Sequence, residues 1–168
     1  MRSVFLWLDA NPRFYWLPAV LSALALVAWI AAGFRPTAPG QPSRRATWIY
    51  AALLLAFLLA WRWPFLLCAH EYNPDESQFI AGALTLAHDP VFWRSVDGTT
   101  SGPLNFYALL PLRWLGLPLD YFTVRLTGLL LCWGSLLGLC RLLRSFAPPA
   151  VAQLATFSGA VFFAVALK

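Results

Sequence analysis

Four long apolar runs divide the chain, with polar residues gathered between them. The first, 14–34, contains no charged residue. The second, 46–69, is interrupted only by Arg62. The third, 122–143, holds Arg125 near its start and Arg141 near its end, and the fourth, 150–167, is uncharged. A helix needs about 20 apolar residues to cross the hydrocarbon core of a bilayer. The pattern therefore predicts an all-α, polytopic membrane protein with about four transmembrane helices, forming a single membrane domain over 1–168. Pro18 falls within the first turns of the first span, where a missing N–H does little harm. A cleaved signal peptide fits poorly, because the first run is too long for a signal core and further apolar spans follow.

The segment 70–121, between the second and third runs, is a long outer loop that is not hydrophilic. Between Glu76 and His88 the apolar residues Phe79, Ile80, Ala83, Leu84, Leu86 and Ala87 recur at helical spacing. The stretch is too short to span, so it is expected to lie in the interface as an amphipathic helix. Asp89-Pro90 ends it, and Asp97-Gly98 reads as a tight turn. From Leu104 to Leu117 the chain is apolar again, with Pro111 inside, and reads as a second interfacial helix starting at Pro103.

Composition agrees with a membrane class: 60% of residues are hydrophobic and 11% charged, with a mean hydropathy of +0.65, against roughly 25% charged in soluble domains. Charge placement then gives orientation. Arg35, Arg44 and Arg45 follow the first span, and Arg141 and Arg144 close the third. The positive-inside rule puts these connections in the cytoplasm, so both chain ends and the loop 70–121 lie outside it. Trp61 and Trp63 around Arg62 read as an aromatic belt with a snorkelling arginine. The net charge of +5 is spread over several loops without a basic stripe, which argues against nucleic acid and for anionic lipid headgroups. The odd count of cysteines, Cys68, Cys132 and Cys140, with no CxxC spacing, argues against a disulfide framework or a zinc site.

The candidate chemistry lies in the outer loop. Asn73-Pro74-Asp75-Glu76 follows the second span directly, and carboxylates at the mouth of a membrane segment are costly to keep dry. A structural account also exists. Asn is a preferred N-cap, Pro suits the first helical position, and Glu at N3 completes a capping box. Capping would fix Asp75 and Glu76 at the bilayer edge, pointing about 100° apart. His70, near Glu71 and Asp75, offers the start of a metal site, although a lone interfacial histidine is more commonly a polar anchor. No ligand set is assigned, and a divalent cofactor stays open. Arg62, Arg94, Arg113 and Arg125 can each meet a phosphate or a headgroup; Arg125, inside a span, calls for a functional or paired role.

The order of these features resembles the GT-C glycosyltransferases, closest to the protein O-mannosyltransferase-like enzymes of family 39 and the bacterial aminoarabinose transferases. The matching segment runs from about Trp48 to Leu143. Asp75-Glu76 matches the acidic pair of the first outer loop. Gly102-Pro103-Leu104 with Phe106-Tyr107 resembles the family's Lys-Pro-Pro-Leu-x-Tyr stretch, and Arg125-Leu126 matches the arginine opening the next helix. Ser101-Gly102 stands where the family carries a basic residue and a proline, and one extra span precedes the motif. The resemblance implies transfer of a sugar, with inversion, from a polyprenyl-phosphate donor to an extracytoplasmic acceptor at a bacterial inner (plasma) membrane. Asp75 would be the base, and Glu76 would orient the acceptor or help hold a cation. Arg125 would meet the phosphate, with Arg62, Tyr107 and Asn105 completing the substrate-binding set. The chain would be the N-terminal part of such an enzyme and inactive alone. Two other classes compete: a small four-span protein that binds lipid or a partner helix, its acids being caps, and a transporter fragment with Asp75 on a proton or cation path.

Overall fold

Apolar runs of this length form helices because only a helix satisfies every backbone N–H and C=O within the segment. The computed structural model describes Trp7 and residues 10–34, 43–96 and 102–166, and among these the regular structure is helical, with no strand. Asp97-Gly98 and Ser101 lie outside the described residues. We number the helices α1 (Arg13–Gly33), α2 (Arg44–Leu67), α3 (Pro74–His88), α4 (Pro103–Tyr107), α5 (Leu110–Trp114), α6 (Tyr121–Leu143) and α7 (Pro149–Ala166). By length and composition α1, α2 and α6 can cross a membrane. At 1.5 Å per residue, the 24 residues of α2 extend about 36 Å. The fourth predicted span is also helical and apolar, but at 18 residues α7 is the shortest of the four.

The chain divides into two units, one of residues 1–64 and 130–168, the other of residues 65–129. In the first, helices meet through small residues: a Cβ on Gly33 would lie 3.5 Å from Ala150 Cβ, and one on Gly159 would lie 3.1 Å from a Leu136 methyl. Polar tips of aromatics bond to backbone carbonyls. Tyr50 donates to Gln153 O at 3.0 Å and shares a 2.6 Å hydrogen bond with Thr156 Oγ1, all three residues being buried. Trp133 Nε1 donates to Ala51 O at 2.9 Å. Trp61 is held against protein: its Nε1 donates to Ala19 O at 3.1 Å and its ring meets Trp16 edge-on at 6.0 Å. The Trp61 carbonyl in turn accepts from the Tyr15 hydroxyl at 3.2 Å. Pro64, inside α2, crowds the preceding turn, and an exposed carbonyl there finds a side-chain donor.

The second unit has its own small core. Leu86, Phe92, Val96, Phe106 and Leu110 are buried together, with Phe79 packed against them. The Phe106 ring meets Phe79 and Phe92, each at 5.3 Å between centroids. Gly82 of α3 makes this possible, because a Cβ there would lie 2.5 Å from Phe106 Cδ1. The amphipathic face of α3, including Gly82, Ala83 and Leu86, is thus covered by protein. The helix predicted from Pro103 is instead two short ones, α4 and α5. Pro111 has no N–H to offer the Tyr107 carbonyl, so the chain turns at Ala108-Leu109 and restarts. Gly116, at φ 73°, then closes α5, and Leu117 N–H bonds back to Leu112 O at 2.9 Å.

Candidate functional site

The site grows from the start of α3. Asn73 adopts extended backbone and its Oδ1 accepts from Asp75 N–H at 3.1 Å, with Pro74 at the first helical position. This is the cap the sequence predicts. The other half of the capping box is shifted by one residue: Glu76 Oε2 accepts from Tyr72 N–H at 3.1 Å rather than from Asn73.

Glu76 meets Arg125 from the second turn of α6. Arg125 Nε donates to Glu76 Oε1 at 3.0 Å and Nη2 to Oε2 at 2.7 Å, a bidentate pair. The arginine side chain is 3% exposed and the glutamate 17%. The remaining donors go to backbone. Nη1 donates to Phe65 O at 2.8 Å and Cys68 O at 2.5 Å, and Nη2 to His70 O at 2.6 Å. A guanidinium has five N–H groups, and five bonds to protein are present. Three aromatic rings surround it, Phe65 at 4.5 Å, Tyr121 at 5.1 Å and Tyr72 at 5.3 Å. The guanidinium therefore sits where the carbonyl end of α2 and the first turn of α3 both place negative charge or partial charge. Burial pushes the Tyr72 phenol above its ordinary range.

Around this pair, Ser77 Oγ donates to the Glu71 carboxylate and shares a 2.9 Å hydrogen bond with the Tyr121 hydroxyl. Asp75 differs from Glu76 in exposure and in partners. It is exposed, and no side-chain partner is present among the described residues. Tyr107, read as a substrate contact, donates its hydroxyl to Pro90 O at 2.7 Å and accepts from Phe92 N–H at 3.3 Å, latching the turn after α3. In that turn Trp93 takes φ 70°, uncommon for a non-glycine residue. Its ring, 66% exposed, stands edge-on to Phe92 at 4.8 Å. Asp89 accepts from Arg94 and Ser95, which holds its carboxyl well below the usual carboxylate range.

Of the candidate residues, Asp75, Glu76, Arg125, Asn105 and Tyr107 fall in the second unit and Arg62 in the first. The structure joins Glu76 to Arg125 directly. Asn105 is exposed on α4, with no side-chain hydrogen bond among the described residues. Arg125, expected to face a donor phosphate, directs all its donors into protein. His70 contributes its carbonyl to Arg125, and among the described residues no group of three or more His, Cys, Asp or Glu side chains is gathered to hold a metal ion. The aromatic cage of Phe65, Tyr72 and Tyr121 and the Glu71–Ser77–Tyr121 chain have no sequence signature beyond a charge inside an apolar span.

Comparison with known proteins finds no matching family, no matching curated protein and no matching solved structure.

Proposed function

We propose that the chain belongs to a multi-pass bacterial inner-membrane glycosyltransferase of the GT-C type, with residues 70–121 on the extracytoplasmic side. It would transfer a sugar from a polyprenyl-phosphate donor to an acceptor outside the cytoplasm. The observation that supports this reading most is the division between two neighbouring carboxylates. Glu76 is tied to a buried arginine and a backbone N–H, whereas Asp75 stands exposed on the same rigid helix start. Two acids in environments this different suit two roles. Asp75 would take the proton of the acceptor hydroxyl as that oxygen attacks the anomeric carbon. The bond to the carrier phosphate would break on the opposite face, giving inversion. Arg125 would act as a positioning residue, fixing Glu76 and with it the Asp75 backbone.

A second reading rests on one observation as well. Asn73, Glu76 and Arg125 are fully accounted for by capping and pairing, as expected of a membrane protein without catalysis.

Asp75→Asn separates the two. Asn keeps the shape and cannot accept the proton, and loss of a general base costs roughly 10²–10⁴-fold in rate. We expect the complete natural protein, in membranes supplied with polyprenyl-phosphate sugar, to lose turnover by that order with its unfolding temperature unchanged. Turnover near the parent value would remove Asp75 as the base. Absence of transfer by the parent protein from any such donor would favour the second reading.

A further inference from the structure

Four arginines of the first unit, Arg44, Arg45, Arg141 and Arg144, have no carboxylate partner among the described residues. The sequence contains no Asp or Glu from residue 10 to 70 or from 121 to 168. Arg44 and Arg45 open α2, Arg141 lies in the last turn of α6, and Arg144 follows its last residue. The two helix ends are joined: Arg144 Nη1 donates to Thr47 Oγ1 at 3.2 Å. Thr47 is three residues from Arg44, and Arg144 three from Arg141, so each pair shares a helix face. Helical spacing thus puts Arg44 and Arg141 on the helix faces that carry the Thr47–Arg144 contact, with Arg45 next in sequence to Arg44. Both ion pairs among the described residues lie elsewhere, at Arg94–Asp89 and Arg125–Glu76. Arg144 Nε is buried and has no hydrogen-bond acceptor among the described residues. Arg44 and Arg45 stand in a first turn that holds no acid, where the helix dipole disfavours cations. Arg141, in a last turn, is favoured by its dipole; Arg44 and Arg45 are not. The Ser43 hydroxyl already caps Ala46 N–H at 3.2 Å, so the cap is complete and the uncompensated term is charge.

We propose that these arginines bind the phosphate of an anionic phospholipid. They lie at the ends of two helices of membrane-crossing length, where headgroups reside. A phosphate diester offers the missing negative charge and acceptors for the forked guanidinium donors. The lipid is selected over a free anion because its acyl chains lie along the exposed apolar side chains Leu139 and Leu142, 43% and 59% exposed, on α6 beside Arg141. The site does not depend on the proposed sugar transfer.

The test uses the full chain in nanodiscs of phosphatidylcholine with a minor fraction of phosphatidylglycerol, released into detergent for native mass spectrometry. We expect phosphatidylglycerol to be retained in preference to phosphatidylcholine. Arg44→Gln with Arg141→Gln, both exposed and without side-chain hydrogen bonds among the described residues, should weaken that retention roughly 25-fold, about fivefold for each arginine near a lipid surface. The control, Arg13→Gln with Arg113→Gln, removes the same charge elsewhere and should retain phosphatidylglycerol as the parent does. Circular dichroism checks that both variants are helical. Equal retention of the two lipids, or equal loss in both double variants, overturns the proposal. So does thermal stabilisation by inorganic phosphate in pure phosphatidylcholine discs that matches the effect of phosphatidylglycerol.

Discussion

At the scale of single residues, Arg125 carries more of the structure than any other polar side chain described. Breaking a buried ion pair by removing one partner costs about 3–5 kcal/mol, because the other charge is left without compensation. Arg125→Gln is therefore expected to destabilise by about that amount, read as a shift in unfolding midpoint in micelles. Arg125→Lys should fall between parent and Gln, since an ammonium keeps the charge and loses the fork that reaches both carboxylate oxygens. Asp120 gives the pH dependence. Its carboxylate accepts from Thr123 N–H at 2.9 Å at the start of α6, and this holds its pKa below the ordinary range. A lowered pKa contributes stability that is full above the unfolded value and is lost as pH falls through the folded one. The window therefore lies below about pH 4. Unfolding midpoints measured across that range should drop for the parent and drop less for Asp120→Asn, which caps without titrating.

Among the helices, α3 shows how a local rule yields to packing. Gly in a helix interior is worse than Ala by roughly 0.5–1 kcal/mol, so propensity alone would have Gly82→Ala stabilise. The Phe106 ring, fully buried, occupies the space a Cβ would need. Overpacking a well-filled core costs typically 1–3 kcal/mol, and the second effect wins. Gly82→Ala is expected to lower stability by about 1–2 kcal/mol in chemical unfolding, and Phe106→Leu in the same chain should recover part of the loss. The same core explains why the second apolar segment of the loop is broken. Pro111 interrupts the backbone ladder, and the two short helices that result each place a residue, Phe106 or Leu110, into the cluster.

At the scale of the whole molecule, three helices among the described residues are long and apolar enough to cross a membrane. If α6 crosses, residues on its two sides must label from opposite faces. Leu104→Cys and Ser145→Cys, placed in a chain with Cys68, Cys132 and Cys140 replaced by serine, test this with an impermeant thiol reagent. Residue 104 should react from outside the cytoplasm and residue 145 only after permeabilisation. Both reacting from one side would remove α6 as a span and the orientation drawn from Arg141 and Arg144 with it.

Period, length and capping chemistry were legible along the chain. The four long helices, the start of α3 at Asn73-Pro74 and its end at His88 follow from apolar runs, an N-cap and a proline, all of which act between near neighbours. The split between α4 and α5 was equally local, written in Pro111, and an apolar stretch had masked it. What the sequence could not supply was the partner of each polar group. Glu76 and Arg125 lie far apart in the chain, and which of two adjacent acids an arginine meets depends on how α3 and α6 are placed within the unit. The side of α3 that faces protein, the engagement of Trp61 with Ala19 and the joining of Thr47 to Arg144 are likewise tertiary facts. Periodicity fixes that a face is apolar; only packing decides what covers it, because hydrophobic burial is non-directional and hydrogen-bond geometry is not.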